Sequence, residues 1–363
     1  MKVLFVDLER EWRGGQSQAF LTLRGLRDVG YDVTLLAARN SPLSKRVAHM
    51  GVSVHEVARI GLRAWAAKAM SELIANHRFQ LIHLNEPHSL TAAWMAHAHR
   101  HLPLLLSRRI GFPLQKNRVS RARYRSVERF LANSKDVARS LMESGIAADR
   151  ISIVNEGVEI PPLVTPEQRR KARARWGFGK NDFVFGCASV FVPEKGQRHL
   201  IEALTQLRKT HPDARLLLAG DGPLRFELQV LASRLGQTAT ILFPGFVENI
   251  AHVYAALDAF VFPSEFEGLG TALQAAMAMA IPCVSTARGA LEEVVDQERT
   301  ALVVEPNGKE FHDAMLRLMT DQDLRQRIAL NGKQEVEQRF SASQMVQNTV
   351  RVYEDVLRRR HAA

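Results

Sequence analysis

The sequence predicts an α/β protein made of two successive, doubly wound parallel-sheet domains. Three observations carry this. Apolar runs of strand length alternate with helical stretches along the chain, as expected where helices cross over between parallel strands. The alternation breaks at 155–165 (NEGVEIPPLVT), where a glycine and two prolines mark a linker, and then restarts. With 363 residues and 46% hydrophobic content, the chain has material for two cores and is not disordered.

Residues 3–6 read as a buried strand ending at Asp7. Residues 12–15 (WRGG) read as a turn, and 16–29 as a helix closed by Gly30. Further strands are expected at 32–38, 52–57, 81–84, 103–107, 130–132 and 151–154. Glycines between a first strand and first helix let a ligand approach the backbone. The spacing here is not G-x-G-x-x-G, and no acid follows at the distance a ribose needs, so no dinucleotide site is predicted. After the linker comes a basic helix at 167–176, then strands at 183–190, 215–218, 240–243, 259–262, 283–285 and 301–304. Residues 341–360 read as a long amphipathic helix. The expected division is 1–160 and 161–340, with 341–363 packing back on the first domain. Such sheets bind ligands beyond the carboxyl ends of their strands, so the two are expected to face a shared cleft.

The stretch 259–282 (AFVFPSEFEGLGTALQAAMAMAIP) organises the second half. A strand runs into a glycine loop and then into a helix that Pro282 stops. That arrangement turns free backbone N–H groups and the positive end of a helix dipole toward an anion. Glu267 stands just before this anion site. A carboxylate there suits a ligand that carries hydroxyls as well as phosphate, as a nucleotide-linked sugar does. An ordinary βα unit with a polar loop would share the pattern.

Net charge is +11. Arg118, Arg121, Arg123, Arg125 and Arg129 crowd one segment, with Lys116 just before, and Arg169, Arg170, Lys171, Arg173 and Arg175 form a second cluster. A basic face suits anionic lipid headgroups or phosphorylated acceptors, and a solvated basic helix is its plain alternative. Zinc spacings and aromatic RNA-binding signatures are missing, so nucleic acid is not an expected partner. Cys187 and Cys283 lie in apolar runs and imply a reducing compartment rather than a disulfide framework. The start MKVLFVDLER reads as a strand, not a signal peptide, and no uncharged apolar run approaches ~20 residues. A cytoplasmic location is expected.

These residues together resemble the GT-B type, retaining family 4 glycosyltransferases, whose fold is two Rossmann-like domains across a cleft. The resemblance rests on 192–197 (VPEKGQ), 219–223 (AGDGP), 244–247 (PGFV), Asp258 with 263–264 (PS) and 267–270 (EGLG), and 276–278 (AMA). In the first half, 12–15 (WRGG) and 107–109 (SRR) resemble a bacterial subset that builds cell-envelope glycans, lipopolysaccharide included. The resemblance implies that Lys195 neutralises the donor diphosphate and Glu267 accepts hydrogen bonds from sugar hydroxyls. Backbone amides of Gly268, Leu269, Gly270 and Thr271 would hold phosphate or sugar, and Phe246 and Val247 would meet the base. Gly14 and Gly15 would let a loop close over the reacting centre. Arg109 stands where many relatives carry histidine; it cannot act as a base but can stabilise a leaving diphosphate. Arg13, His83, His88 and Arg108 are candidate acceptor contacts. Neither cofactor nor metal is expected; the only DxD, 321–323, falls on a terminal helix.

Two positions depart from the family. Its second glutamate, eight residues after the first, is Ala275 here, and its diphosphate arginine, five before the lysine, is Val190. Arg13, Arg108, Arg109, Arg198 or Arg288 are the candidate replacements. The expected activity is transfer of a hexose or heptose from a nucleotide sugar to a lipid-linked or lipopolysaccharide-type acceptor at the cytoplasmic face of the inner membrane. The anionic membrane would be met through the Arg118–129 segment. The alternative is a weakened sugar- or glycolipid-binding paralogue. An epimerase on the same fold would need a convergent acid/base set, which is not found.

Overall fold

The computed structural model describes residues 1–115 and 117–362, and the chain divides into two compact units. The first comprises Met1–Gly157 and Ser341–Ala363, the second Val158–Phe340.

The first unit holds a seven-stranded parallel sheet in the order β3-β2-β1-β4-β5-β6-β7. Its strands are β1 (Lys2–Asp7), β2 (Asp32–Ala38), β3 (Ser53–Val57), β4 (Leu81–Leu84), β5 (Leu104–Arg108), β6 (Arg129–Ala132) and β7 (Ile151–Ile153). Both faces are covered, which is why the strands read as unbroken apolar runs. Along β1 the period of two is visible in the cores. Val3 and Phe5 pack with Leu23, Met345 and Tyr353; Leu4 and Val6 pack on the other face with Met70 and Leu90. The helix Ala342–Ala362 therefore closes one face of this sheet with residues contributed from the far end of the chain.

The second unit holds a six-stranded parallel sheet ordered β10-β9-β8-β11-β12-β13. Its strands are β8 (Phe183–Ala188), β9 (Ala214–Ala219), β10 (Ile241–Gly245), β11 (Ala259–Phe262), β12 (Cys283–Ser285) and β13 (Leu302–Val303). One core includes Phe185, Leu204, Phe260, Phe311 and Phe340.

Strand order reverses between β1 and β4 in the first sheet and between β8 and β11 in the second. At such a point the flanking connections leave on opposite faces and open a crevice at the carboxyl edge.

Several expectations are corrected. The glycines of the WRGG segment are not a free turn: Gly14 and Gly15 form the first turn of the helix Gly14–Asp28. The strand expected at 183–190 ends at Ala188, because Ser189 and Val190 leave the sheet to hold Gln197. Arg129 does not belong to a surface cluster. It sits on the buried strand β6 and pairs with Asp355 at 3.0 Å, tying β6 to the C-terminal helix. Arg123 is half-buried and donates to Thr91 and Ser120, whereas Arg118, Arg121 and Arg125 stay exposed on the helix Arg118–Arg125. Lys116 lies outside the described residues. In the second basic cluster Arg169 and Arg173 both pair with Asp258 at the foot of β11. Among the described residues, no helix is long and apolar enough to cross a membrane.

Candidate active site

In the second unit, the connections after β8 and β11 meet beside the reversal point. A short turn, Pro193–Lys195, follows β8 and ends at Gly196, whose φ is +63°. A Cβ at Gly196 would lie 2.5 Å from the Pro263 carbonyl oxygen, so only glycine lets the two connections approach this closely. A backbone bond from Glu265 N–H to the Glu194 carbonyl, 2.8 Å, joins them. Across this junction Lys195 Nζ meets Glu267 Oε1 at 2.5 Å. The ammonium also donates to the Phe266 carbonyl at 3.1 Å and to Ser264 Oγ at 3.3 Å. Both side chains of the pair are 15% exposed, so the pair is sheltered yet reachable.

Gly270 precedes the helix Thr271–Ala278 and supplies no side-chain cap. Its φ of +66° and the 2.6 Å approach of a hypothetical Cβ to Leu291 Cδ2 demand glycine. The first intrahelical bond is Gln274 N–H to Gly270 O, so the N–H groups of Thr271, Ala272 and Leu273 have no partner within the helix. The uncapped amides thus begin four residues along the chain from Glu267, which meets the ammonium. Phe246, at the end of β10, is 75% exposed and offers a bare ring face, whereas Val247 packs on the core.

Val190 is half exposed, and Ala275 packs against the core of its unit. The proposed replacement arginines already hold partners. Arg198 pairs with Glu227, Arg288 with Glu305, Arg13 with Glu11, and Arg108 donates to the Phe112 carbonyl. The Arg288 pair is exposed and so weakly held. Arg288 also adjoins Gly289, where a Cβ would lie 3.7 Å from the Glu267 carbonyl. The backbone next to Arg288 thus lies against the Glu267 loop, and its exposed ion pair can exchange partners at low cost.

In the first unit, polar residues gather at the carboxyl edge around the β1/β4 reversal. Arg109 donates to the backbone oxygen and Oδ1 of Asn85, both at 2.8 Å, and pairs through Nε with Glu156 at 3.0 Å. Asn85 Nδ2 donates to Asp7 Oδ2 at 2.5 Å, and Gln16 donates to the same oxygen at 3.1 Å. A Cβ on Gly15 would come 4.0 Å from Arg109 Cδ, and nothing crowds Gly14. Arg109 thus clamps the ends of β4 and β7 with all three nitrogens engaged.

His83 is corrected as an acceptor contact. It is buried, its Nδ1 bonds Tyr353 Oη at 2.5 Å and its Nε2 bonds Ser107 Oγ at 2.7 Å. Burial pulls it down to about 3, so the ring is neutral and structural. His88 is exposed and receives Arg63 Nη2 at Nδ1, 2.7 Å away. Glu86 caps the helix Pro87–Met95, and burial together with the Asp7 carboxylate pushes it up to about 8. Glu9, Glu86 and His88 bring ligand atoms within 4.8 Å of one another. The Glu86 oxygens already accept from backbone N–H groups and His88 Nδ1 faces a guanidinium, so the donor set is poorly suited to a cation. Asp321 of the DxD is the N-cap of the helix Gln322–Arg339.

Asp7, Asn85, Glu86 and Glu156 were not singled out as site residues from the sequence. Their shared signal is a polar residue at or just beyond the end of an apolar strand, where a parallel sheet exposes its functional edge.

Two family models match the chain: "Glycosyltransferase Family 4" over residues 12–160 and "Glycosyl transferases group 1" over 168–335. The chain is a glycosyltransferase of the GT-B fold. The glycosyltransferase is similar to the lipopolysaccharide core biosynthesis mannosyltransferase LpsB of Rhizobium meliloti, at 28% identity over 72% of this chain and 79% of the relative. Its fold is similar to that of Anabaena HepE, solved in complex with UDP and glucose, with a TM-score of 0.84 and 22% identity over 98% of this chain and 99% of that one. A glycosyltransferase from Rickettsia africae superposes with a TM-score of 0.86 at 20% identity, over 98% of both chains.

Proposed function

We propose that this glycosyltransferase moves a hexose or heptose from a nucleotide sugar to a lipid-linked or lipopolysaccharide-type acceptor, with retention at the anomeric carbon. The observation that carries the reading is the Lys195–Glu267 pair beside the uncapped start of the helix Thr271–Ala278. When a donor enters, the ammonium exchanges the carboxylate for the diphosphate, and the freed carboxylate accepts from sugar hydroxyls. The bond between the anomeric carbon and the phosphate oxygen breaks as the acceptor oxygen bonds to the same face. The acceptor proton passes to the departing phosphate oxygen, so no protein base is required. Catalysis is then leaving-group stabilisation by Lys195, the helix amides and a recruited arginine such as Arg288.

The UDP and glucose bound by HepE support a nucleotide-sugar donor, and the named role of LpsB supports an envelope glycan as acceptor. We further propose that the reaction needs no metal and takes place at the cytoplasmic face of the membrane, met through exposed Arg118, Arg121 and Arg125. The weakened-binder alternative is not favoured, because the matching family models and relatives are described as glycosyltransferases; Arg288 is the replacement we propose for the guanidinium missing at Val190. Nucleotide release from a panel of nucleotide sugars in EDTA-treated buffer tests the reading. Release from one donor is expected; binding without release from any would overturn it.

A further inference from the structure

The crevice at the β1/β4 reversal opens into a cavity of about 700 Å³. Its walls come from the connections after β1 and β3 and from the helix Pro87–Met95, and include Arg10, Arg13, Arg59, Arg63, Glu9 and His88. A second cavity of about 670 Å³ shares Arg59 with the first, and adds Arg39 and Lys45 with no acid in its lining. Arg13 is neutralised by Glu11. The other guanidiniums are held by neutral acceptors. Arg10 Nη2 donates to the Arg59 carbonyl at 2.5 Å, Arg59 donates to the Arg39 and Asn40 carbonyls at 3.0 and 3.1 Å, and Arg63 bonds His88 Nδ1 at 2.7 Å. Among the described residues no carboxylate forms an ion pair with Arg10, Arg59 or Arg63. Three guanidiniums without an ion pair are therefore preset around one cavity whose lining sets four arginines against the two glutamates Glu9 and Glu11. Like charges so placed repel one another, and a multivalent anion relieves that cost.

We propose that this crevice is an anion subsite that takes a phosphate group of the acceptor, held by Arg59 and Arg63 with Arg10 in support. The inference rests on the glycosyltransferase reading of the chain and narrows it to a phosphorylated acceptor. Ile60, 89% exposed beside Arg59, adds an apolar contact at the rim for the body of that molecule.

Titration calorimetry at low salt, with glucose 6-phosphate and glucose as probes, tests this. Co-sedimentation with phosphatidylglycerol vesicles forms a second arm. The wild type is expected to bind glucose 6-phosphate and not glucose, and Arg59→Ala/Arg63→Ala to bind it about tenfold or more weakly. Arg59→Lys/Arg63→Lys should recover part of the loss, since it keeps charge without the fork. If the alanine variant loses vesicle binding but glucose 6-phosphate never binds, the phosphate is that of a lipid; if only the soluble probe is lost, it is that of a sugar. Binding of neither probe, or undiminished binding of both by the alanine variant, would overturn the subsite. UDP, GDP, ADP and CMP binding is followed in the same samples. A wild type that binds one of these nucleotides but no phosphate probe sinks the subsite alone, whereas one that binds no nucleotide sinks the functional reading.

Discussion

Lys195 and Glu267 are 72 residues apart in the chain, yet Nζ and Oε1 meet at 2.5 Å across the point where the second sheet reverses its strand order. Each is delivered by a connection that glycine alone permits, Gly196 for the lysine and Gly270 at the end of the carboxylate's loop. The pair holds two charges in a sheltered place, and the further partners of the ammonium, the Phe266 carbonyl and Ser264 Oγ, are neutral, so a diphosphate can compete for it.

Removing either charge should stop catalysis before it harms the fold. Lys195→Ala is expected to lower kcat by about a hundredfold or more, as loss of a charge-stabilising donor does. Glu267→Ala is expected to lower turnover to a similar degree. Both variants should melt within a few degrees of the wild type. Steady-state kinetics and thermal melts check this; a variant that keeps its turnover contradicts the assignment.

Ala275 is where the family's second carboxylate stands. Ala275→Glu is expected to cost no activity and to tighten nucleotide binding, because an acceptor for ribose hydroxyls returns to the loop's helix. The side chain at 275 packs partly against the core, so a folded variant with collapsed activity would mean that the helix register is wrong. Calorimetry with the preferred nucleotide decides.

Arg129 and the exposed arginines should separate cleanly. Arg129→Ala is expected to destabilise the protein by about 2 kcal/mol, since it breaks the tie between β6 and the C-terminal helix while Asp355 keeps Arg359 as a partner. Arg118→Ala/Arg121→Ala/Arg125→Ala should leave stability unchanged and weaken binding to anionic vesicles in a salt-sensitive way. Denaturant melts and co-sedimentation read the two effects. Vesicle binding indifferent to both salt and these substitutions would remove the electrostatic account.

Two buried groups give stability opposite slopes with pH. Glu86 is raised to about 8, so its contribution is whole below the ordinary carboxylate range and is lost as pH rises through 8. His83 is lowered to about 3, so its contribution is present above the ordinary histidine value and is lost as pH falls toward 3. Glu86→Gln is expected to flatten the alkaline decline, gaining on the wild type by an order of a few kcal/mol between pH 5 and 9. Urea denaturation across that range checks it; parallel curves for the two proteins would contradict it.

Much of this was legible in the sequence, for local reasons. Runs such as 32–38 and 259–262 are apolar on both faces and bounded by polar residues, so their limits are set by composition. The Lys195 and Glu267 loops carry glycines at the positions that need left-handed backbone. What was not legible depended on distant partners. His83 looks like a free histidine at a strand end until Tyr353 arrives from the C-terminal helix, 270 residues later. Arg129 reads as one of a basic run until Asp355 pairs with it. Glu156 sits in what reads as a linker, yet it anchors Arg109. Gly14 and Gly15 read as a turn because glycine breaks helices, but a first helical turn tolerates it and tertiary packing decides the rest.

The central claim is most directly measured by titrating UDP, GDP, ADP and CMP into the wild type and Lys195→Ala. One diphosphate is expected to bind the wild type and to bind the variant at least tenfold more weakly, while CMP binds both alike. Equal affinity of both proteins for every nucleotide would show that the ammonium at 195 does not hold a diphosphate.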